Sequence, residues 1–217
     1  MNKTCCTIFL MCLLCLFFFS CANNSIKEKT DEGSKKVDVP KRTIQKPCVK
    51  IYCYGNVSNA KSELLASELK KYYPKVELAR QHIGLPEEYY HQGRNRYNGS
   101  GLLKDLRRLK KDAVVLGVMD EVIYQTNNIS STFGIFGIST VGAHVALISL
   151  TQPSGKKHSD DHIVKLMLHE LGHAFGLKHC SDEHCLMVNA EHRNKFSQTP
   201  SFCKNCKLFL NKKGWKL

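Results

Sequence analysis

Residues Asp161–Met187, DHIVKLMLHELGHAFGLKHCSDEHCLM, decide how this chain is to be read. On a helix His169 and His173 share one face about one turn apart, the spacing at which two imidazoles reach a single zinc ion. Glu170 sits beside them, placed to hold a water at that metal. Gly176 lets the helix end in a left-handed turn, and His179 then returns as a third ligand. Three neutral imidazoles leave one coordination position open, and an open zinc lowers the pKa of its water to about 7, which is the chemistry of a hydrolytic centre. Ile163, Val164, Leu166, Met167, Leu168 and Leu171 surround the histidines, so this helix is expected to be buried and rigid. His82, His91, His144, His158, His162, His184 and His192 have no such spacing and read as surface or core residues.

Directly after His179 come Cys180 and Cys185, followed by Cys203 and Cys206 in a CKNC step. Four thiolates close a tetrahedral shell that admits no water, so a metal there would be structural and the chain would carry two zinc ions. Two disulfides are the competing reading, one that an oxidising compartment favours. The knuckle-like spacing of Cys203 and Cys206 favours zinc. The segment between Cys180 and Cys206 holds few apolar residues, so its order is expected to come largely from metal binding. Cys48 and Cys53 fall on opposite faces of one extended run and read as unpaired residues.

Upstream, the pattern alternates between strand and helix. CVKIYCYG (Cys48–Gly55) is a β-branched and aromatic run, Asn59–Tyr73 carries Leu64, Leu65 and Leu69 at helical spacing before Pro74, and Lys75–Ala79 suits a second strand. Leu102, Leu103, Leu106 and Leu109 mark another helix, and DAVVLGVMD (Asp112–Asp120) a buried strand, which together make an α/β domain. Glycine and small residues interrupt Phe133–Leu150, which predicts a hairpin or an edge strand there instead of a central one.

The amino terminus reads as targeting sequence. Lys3, an apolar run from Ile8 to Phe19, then Ser20 and Cys21 make up a signal peptide over 1–20, with FFSC resembling a lipobox at which Cys21 would be acylated. Plain secretion and an uncleaved anchor are the alternatives. Residues 21–47 are mixed in charge and lack an apolar period, so they form a flexible tether, and the folded domain occupies 48–217. This layout predicts a lipid-anchored protein of the bacterial cell envelope, at the outer membrane or cell surface.

The 217 residues suffice for one domain with a sizeable core; 42% are hydrophobic and 24% charged, which excludes a disordered chain or a multi-span membrane protein. The net charge of +13 would attract anionic surfaces, yet no nucleic-acid-binding motif accompanies it, so no nucleic-acid partner is expected.

HELGHAFGLKHC (His169–Cys180), the Cys185-Leu186-Met187 step and the final CKNC closely resemble the archaemetzincins, zinc metallopeptidases of the metzincin clan. RNRYNGSGLL (Arg94–Leu103), VLGVMDEVIY (Val115–Tyr124), FGIFGIS (Phe133–Ser139) and VALISL (Val145–Leu150) look like that family's core segments in the same order, so the resemblance spans roughly Val49–Phe209. It implies a metzincin-like α/β (α+β) fold, with a mixed twisted sheet, an active-site helix and a short zinc-stabilised C-terminal part. It also implies His169, His173 and His179 on a catalytic zinc, Glu170 as general base, Cys180, Cys185, Cys203 and Cys206 on a structural zinc, and Met187 in a tight turn beneath the catalytic metal. The stretch between Met187 and Cys203 is slightly shorter than usual for the family, and the leader differs from that of its intracellular members. The expected activity is hydrolysis of peptides or small proteins outside the cytoplasm by a monomer, with the substrate antiparallel to an edge strand near Phe133–Ser139. A catalytically silent zinc-binding or adhesion module is the rival, and intact Glu170 speaks against it.

Overall fold

The computed structural model of the protein describes residues 46–126, 132–189, 196, 198–199 and 201–217. The signal peptide, Cys21 and all of the tether except Lys46 and Pro47 lie outside the described residues. Those two pack on the domain, where the Tyr73 hydroxyl donates to the Pro47 carbonyl.

The chain enters through β1 (Val49–Cys53) and α1 (Asn59–Tyr72), and the Ser58 hydroxyl caps α1 by accepting from the Lys61 amide at 3.2 Å. Tyr73 is extended, as a residue preceding proline prefers, and the chain then forms β2 (Val76–Leu78). The short strands β3 (Tyr90–His91) and β4 (Arg96–Asn98) lead into α2 (Gly99–Arg108), capped by the Asn98 side chain. Next come β5 (Val114–Met119), β6 (Ile123–Thr126), β7 (Thr132–Ile135), β8 (Gly137–Ser139) and β9 (Val145–Ser149). Two helices follow, α3 (Asp160–Ala174) and α4 (Lys204–Lys212).

One sheet has the order β2-β1-β5-β9-β8, parallel except for β8, which runs antiparallel to β9 at the edge. A smaller sheet, β3-β4-β6-β7, was not anticipated from the sequence. Nor was the position of β9. The expected hairpin is present as β8–β9, but Val145–Ser149 is a buried inner strand between β5 and β8. The interruptions at Gly134, Gly137 and Gly142 all precede it, so it is as continuous as a strand covered on both faces must be.

Alternation along β5 assigns the two layers. Val114, Leu116 and Val118 join β1, α1 and α3 in the larger core, while Val115 and Met119 face α2 with Val145 and Leu147. Gly117 lies on the second face, where a Cβ would stand 2.4 Å from Leu106 Cδ1, so its bare backbone lets α2 approach the sheet. Cys53 is buried in the larger core, and Cys48 and Cys53 are both free thiols, as expected.

The C-terminal part is not held by its cysteines alone. Leu186, Met187, Phe202, Leu210 and Trp215 are buried in the main core, and the Trp215 ring contacts Tyr73, Phe175 and Phe202. Among the described residues, no helix is long and apolar enough to cross a membrane.

Candidate active site

The helix α3 is laid against β8 and β9 with its histidine-bearing stretch inside the protein: His169, Glu170 and His173 are each 7–8% exposed. The Ser159 hydroxyl caps its first turn, where Asp160 and Asp161 complement the helix dipole. Its end is set by Gly176, at φ +114°. The Gly176 amide donates to the His173 carbonyl and the Leu177 amide to the Gly172 carbonyl, both at 2.9 Å, which is the paired hydrogen bonding of a Schellman cap. The reversal brings His179 back over the helix.

The three imidazoles converge. His169 and His173 Nε2 are 3.2 Å apart, close to the roughly 3.3 Å edge of a tetrahedron with zinc–nitrogen bonds of about 2.0–2.1 Å. One ring nitrogen from each of His169, His173 and His179 lies within 4.8 Å of the others. His169 Nδ1 donates to the Leu186 carbonyl and His173 Nδ1 to the Leu177 carbonyl, each at 2.7 Å. Those bonds fix the tautomer that leaves both Nε2 lone pairs facing the common point. Burial lowers the basicity of all three, holding His169 down to about 4, so the rings are neutral and able to ligate at neutral pH.

Glu170 is held from the strand side. Ser139 Oγ donates to Glu170 Oε2 at 2.6 Å, and a Cβ on Gly137 would come within 2.7 Å of Glu170 Cγ, so the carboxylate lies flat against the bare backbone of β8. Burial raises its pKa, and the Ser139 hydrogen bond and His173 oppose that. Two clefts meet here, sharing Gly137, His169, Glu170 and His179 in their walls. One, of about 600 Å³, runs under α2 past Lys104, Arg107 and Thr140. The other, of about 700 Å³, is lined by Phe133, Ile135, Phe136, Leu166 and Phe196.

Behind the histidines, Cys180 and Cys203 Sγ are 3.8 Å apart and Cys185 and Cys206 Sγ 3.7 Å apart, and all four sulfurs lie within 4.8 Å of one another. A tetrahedron with zinc–sulfur bonds of about 2.3 Å has an edge of roughly 3.8 Å, so the donor set fits a four-thiolate zinc site. All four are free thiols, at odds with the disulfide alternative. Burial, with the neighbouring cysteines adding to it at Cys206, pushes the Cys185 and Cys206 thiols up, which disfavours thiolates there unless a cation compensates.

A model of peptidase family M54 matches residues 54–212. The chain belongs to that family. This M54 chain is 30% identical over 146 residues to the archaemetzincin of Methanopyrus kandleri, covering 66% of the chain and 82% of that protein. It is 31% identical over 172 residues to the archaemetzincin of Pyrococcus furiosus, covering 70% and 86%. Among solved structures, the Methanopyrus kandleri archaemetzincin superposes with a TM-score of 0.62 at 24% identity, over 81% of this chain and 98% of that one. The Archaeoglobus fulgidus archaemetzincin, crystallised with malonate, gives 0.61 at 27% identity, over 74% and 99%. The mixed α/β fold is thus shared with archaemetzincins, and the chain is a zinc metallopeptidase, a hydrolase.

The seven predicted metal ligands from His169 to Cys206 fall in the two clusters of this M54 chain, back to back across the His179–Cys180 bond, and Glu170 lines the same clefts as the histidines. Met187 is fully buried in the turn Cys185–Val188, its sulfur placed where a Cβ on Gly172 would lie. Sequence reasoning missed Ser139 and the carbonyls of Leu177 and Leu186. The carbonyls leave no trace in residue identity, and Ser139 lies 31 positions from the carboxylate it contacts.

Proposed function

We propose that the chain cleaves peptide bonds with Glu170 as general base and a zinc ion held by His169, His173 and His179, while Cys180, Cys185, Cys203 and Cys206 hold a second, structural zinc. The observation that carries this reading is the convergence of three neutral imidazoles and the Glu170 carboxylate where two clefts meet along an edge strand. When bound, zinc would supply Lewis acidity, polarising a carbonyl and lowering the pKa of water to about 7.

The protein's own groups do the rest. Among the described residues β8 is the edge strand of its sheet, and an extended substrate pairing with its outer edge would bring the scissile carbonyl past Glu170. Glu170 takes a proton from the attacking water as the carbon–oxygen bond forms. It returns that proton to the amine nitrogen as the carbon–nitrogen bond breaks, so no covalent enzyme intermediate is needed. Ser139 orients the carboxylate, and burial keeps its pKa above that of a solvated glutamate, where proton return is easier.

Supporting a site of action outside the cytoplasm is the layout Lys3, Ile8–Phe19, FFSC, on which Cys21 is lipidated and the domain works as a tethered monomer in a bacterial cell envelope on peptides or small proteins. A fatty-acid analogue should label the wild type and spare Cys21→Ala; equal labelling of both would remove the anchor. For the chemistry, Glu170→Ala should retain zinc by elemental analysis and lose hydrolysis of a peptide library. Turnover at the wild-type rate would exclude Glu170 as base, and loss of the metal would make it a ligand.

A further inference from the structure

We propose that Lys104 and Arg107 form a cationic wall that selects an acidic residue on the acyl side of the scissile bond. The inference rests on the peptidase reading above and adds a substrate class to it. Ser100, Leu103, Lys104 and Arg107 recur at helical spacing along the face of α2 that borders the cleft of about 600 Å³. Arg107 donates from Nη2 to Thr140 Oγ1 at 3.1 Å, so its guanidinium is stationed just past the end of β8. No carboxylate pairs with Lys104 or Arg107 among the described residues. Arg108, which borders a different cleft, is paired with Asp105 at 2.9 Å. Among the described residues, the only carboxylate in that cleft's wall is Glu170, already engaged by Ser139. Arg107, held by Thr140, and the exposed Lys104 thus line one half of the groove with no carboxylate partner among the described residues, whereas Phe133, Ile135, Phe136, Leu166 and Phe196 line the other half.

The direction of β8 assigns this half to one side of the reaction. β8 runs from Gly137 to Ser139, both against Glu170, and continues to Thr140 and Arg107. An added strand pairs most stably in the antiparallel sense, so its N-terminal residues pass Thr140 and its C-terminal residues pass Phe133–Phe136. The residues preceding the scissile bond therefore meet Lys104 and Arg107. A free α-ammonium at that place would be repelled by the same charges, so the wall selects internal cleavage over removal of N-terminal residues.

The test uses the zinc-loaded full chain and N-acetylated fluorogenic peptides carrying Glu or Gln at each of the first three positions on the acyl side. Glu should raise kcat/KM about threefold to tenfold at one of them, the size of one or two exposed ion pairs, and less as salt is added. In Lys104→Glu/Arg107→Glu that ratio should fall below one and a Lys-containing peptide should become the better substrate. The same peptides, titrated by fluorescence anisotropy into the non-cleaving Glu170→Gln variant, report selection without hydrolysis. If wild type cuts nothing but this binding ratio still favours Glu, the hydrolysis reading fails and the wall stands. Peptides cut with ratios of one in both assays, or an acidic preference confined to the leaving-group side, would overturn the wall.

Discussion

The two residue clusters are joined by the His179–Cys180 bond and differ in almost everything else. His169 and His173 sit on a helix embedded in the main core, their rings oriented by backbone carbonyls, and with His179 from the following loop they border two clefts. The cysteines are gathered from three separate pieces of chain, the loop after α3, the turn at Cys185 and the start of α4. A site organised by packing survives the loss of one ligand; a site that itself ties pieces of chain together does not. On the proposed reading, the difference would separate a metal that works from a metal that holds.

The sharpest way to break that distinction is at Glu170. Glu170→Ala should lower kcat about 10²–10⁴-fold with zinc content and melting temperature near wild type, the pattern of a group that moves protons without supporting the fold. A large fall in melting temperature would mean the histidine site is structural as well. Next in size, Cys203→Ser should cost several kcal/mol of stability, seen as lost zinc and a lowered melting temperature. The buried Leu186, Phe202 and Trp215 keep this below the roughly 10 kcal/mol or more of isolated zinc modules, where metal is nearly the whole fold. His179→Ala should release one zinc and abolish activity while melting within a few degrees of the zinc-loaded wild type. If His179→Ala destabilises as much as Cys203→Ser, the two clusters form one cooperative unit.

Acid provides a graded comparison. His169 and His158 are held neutral in the fold, down to about 4, against an ordinary value of 6.5, chiefly by burial. As pH falls through 6.5 the unfolded chain takes up protons that the native state refuses until about 4, so the native state is favoured above this window and loses ground within it. Thermal unfolding of the metal-free protein between those limits should show a melting temperature that falls steadily with pH, and a flat profile would contradict the burial of these rings. The smallest effect is expected at Ser139→Ala, which should reduce kcat by about tenfold or less through the loss of one charge-assisted hydrogen bond, with KM little changed. Partial recovery in Ser139→Thr would identify the hydroxyl as the positioning group.

What could be read from the chain follows how local the signal is. The spacing from His169 to His173, the apolar face of α3 and the run Val114–Met119 are contained within single elements, and His179 lies one tight turn further on; the structure has them as expected. β3, β4, β6 and β7 are two to four residues long, too short to show a period, and the small sheet they build was invisible for that reason. β9 was misjudged because its glycine-rich approach was read together with the strand itself. Between Cys180 and Cys206 the apolar residues Leu186, Met187 and Phe202 reach the core, a contribution beside metal that the sparse pattern did not show. Lys104 and Arg107 looked like part of a basic surface until α2 was placed beside the cleft.

Between His169 and His173 of α3, Gly172 is the one point where the helix has no side chain, and Met187 Sδ lies 2.6 Å from where a Cβ would be. The next residue back from Met187 is Leu186, whose carbonyl orients His169. The two positions are therefore mutually exclusive in volume and cannot drift independently. Gly172→Ala alone would displace the turn and with it the imidazole, whereas the same change paired with a smaller residue at Met187 would restore room. Descendants of this chain are expected to keep both residues or to exchange them together, a constraint on heritable variation that arises wholly from shape.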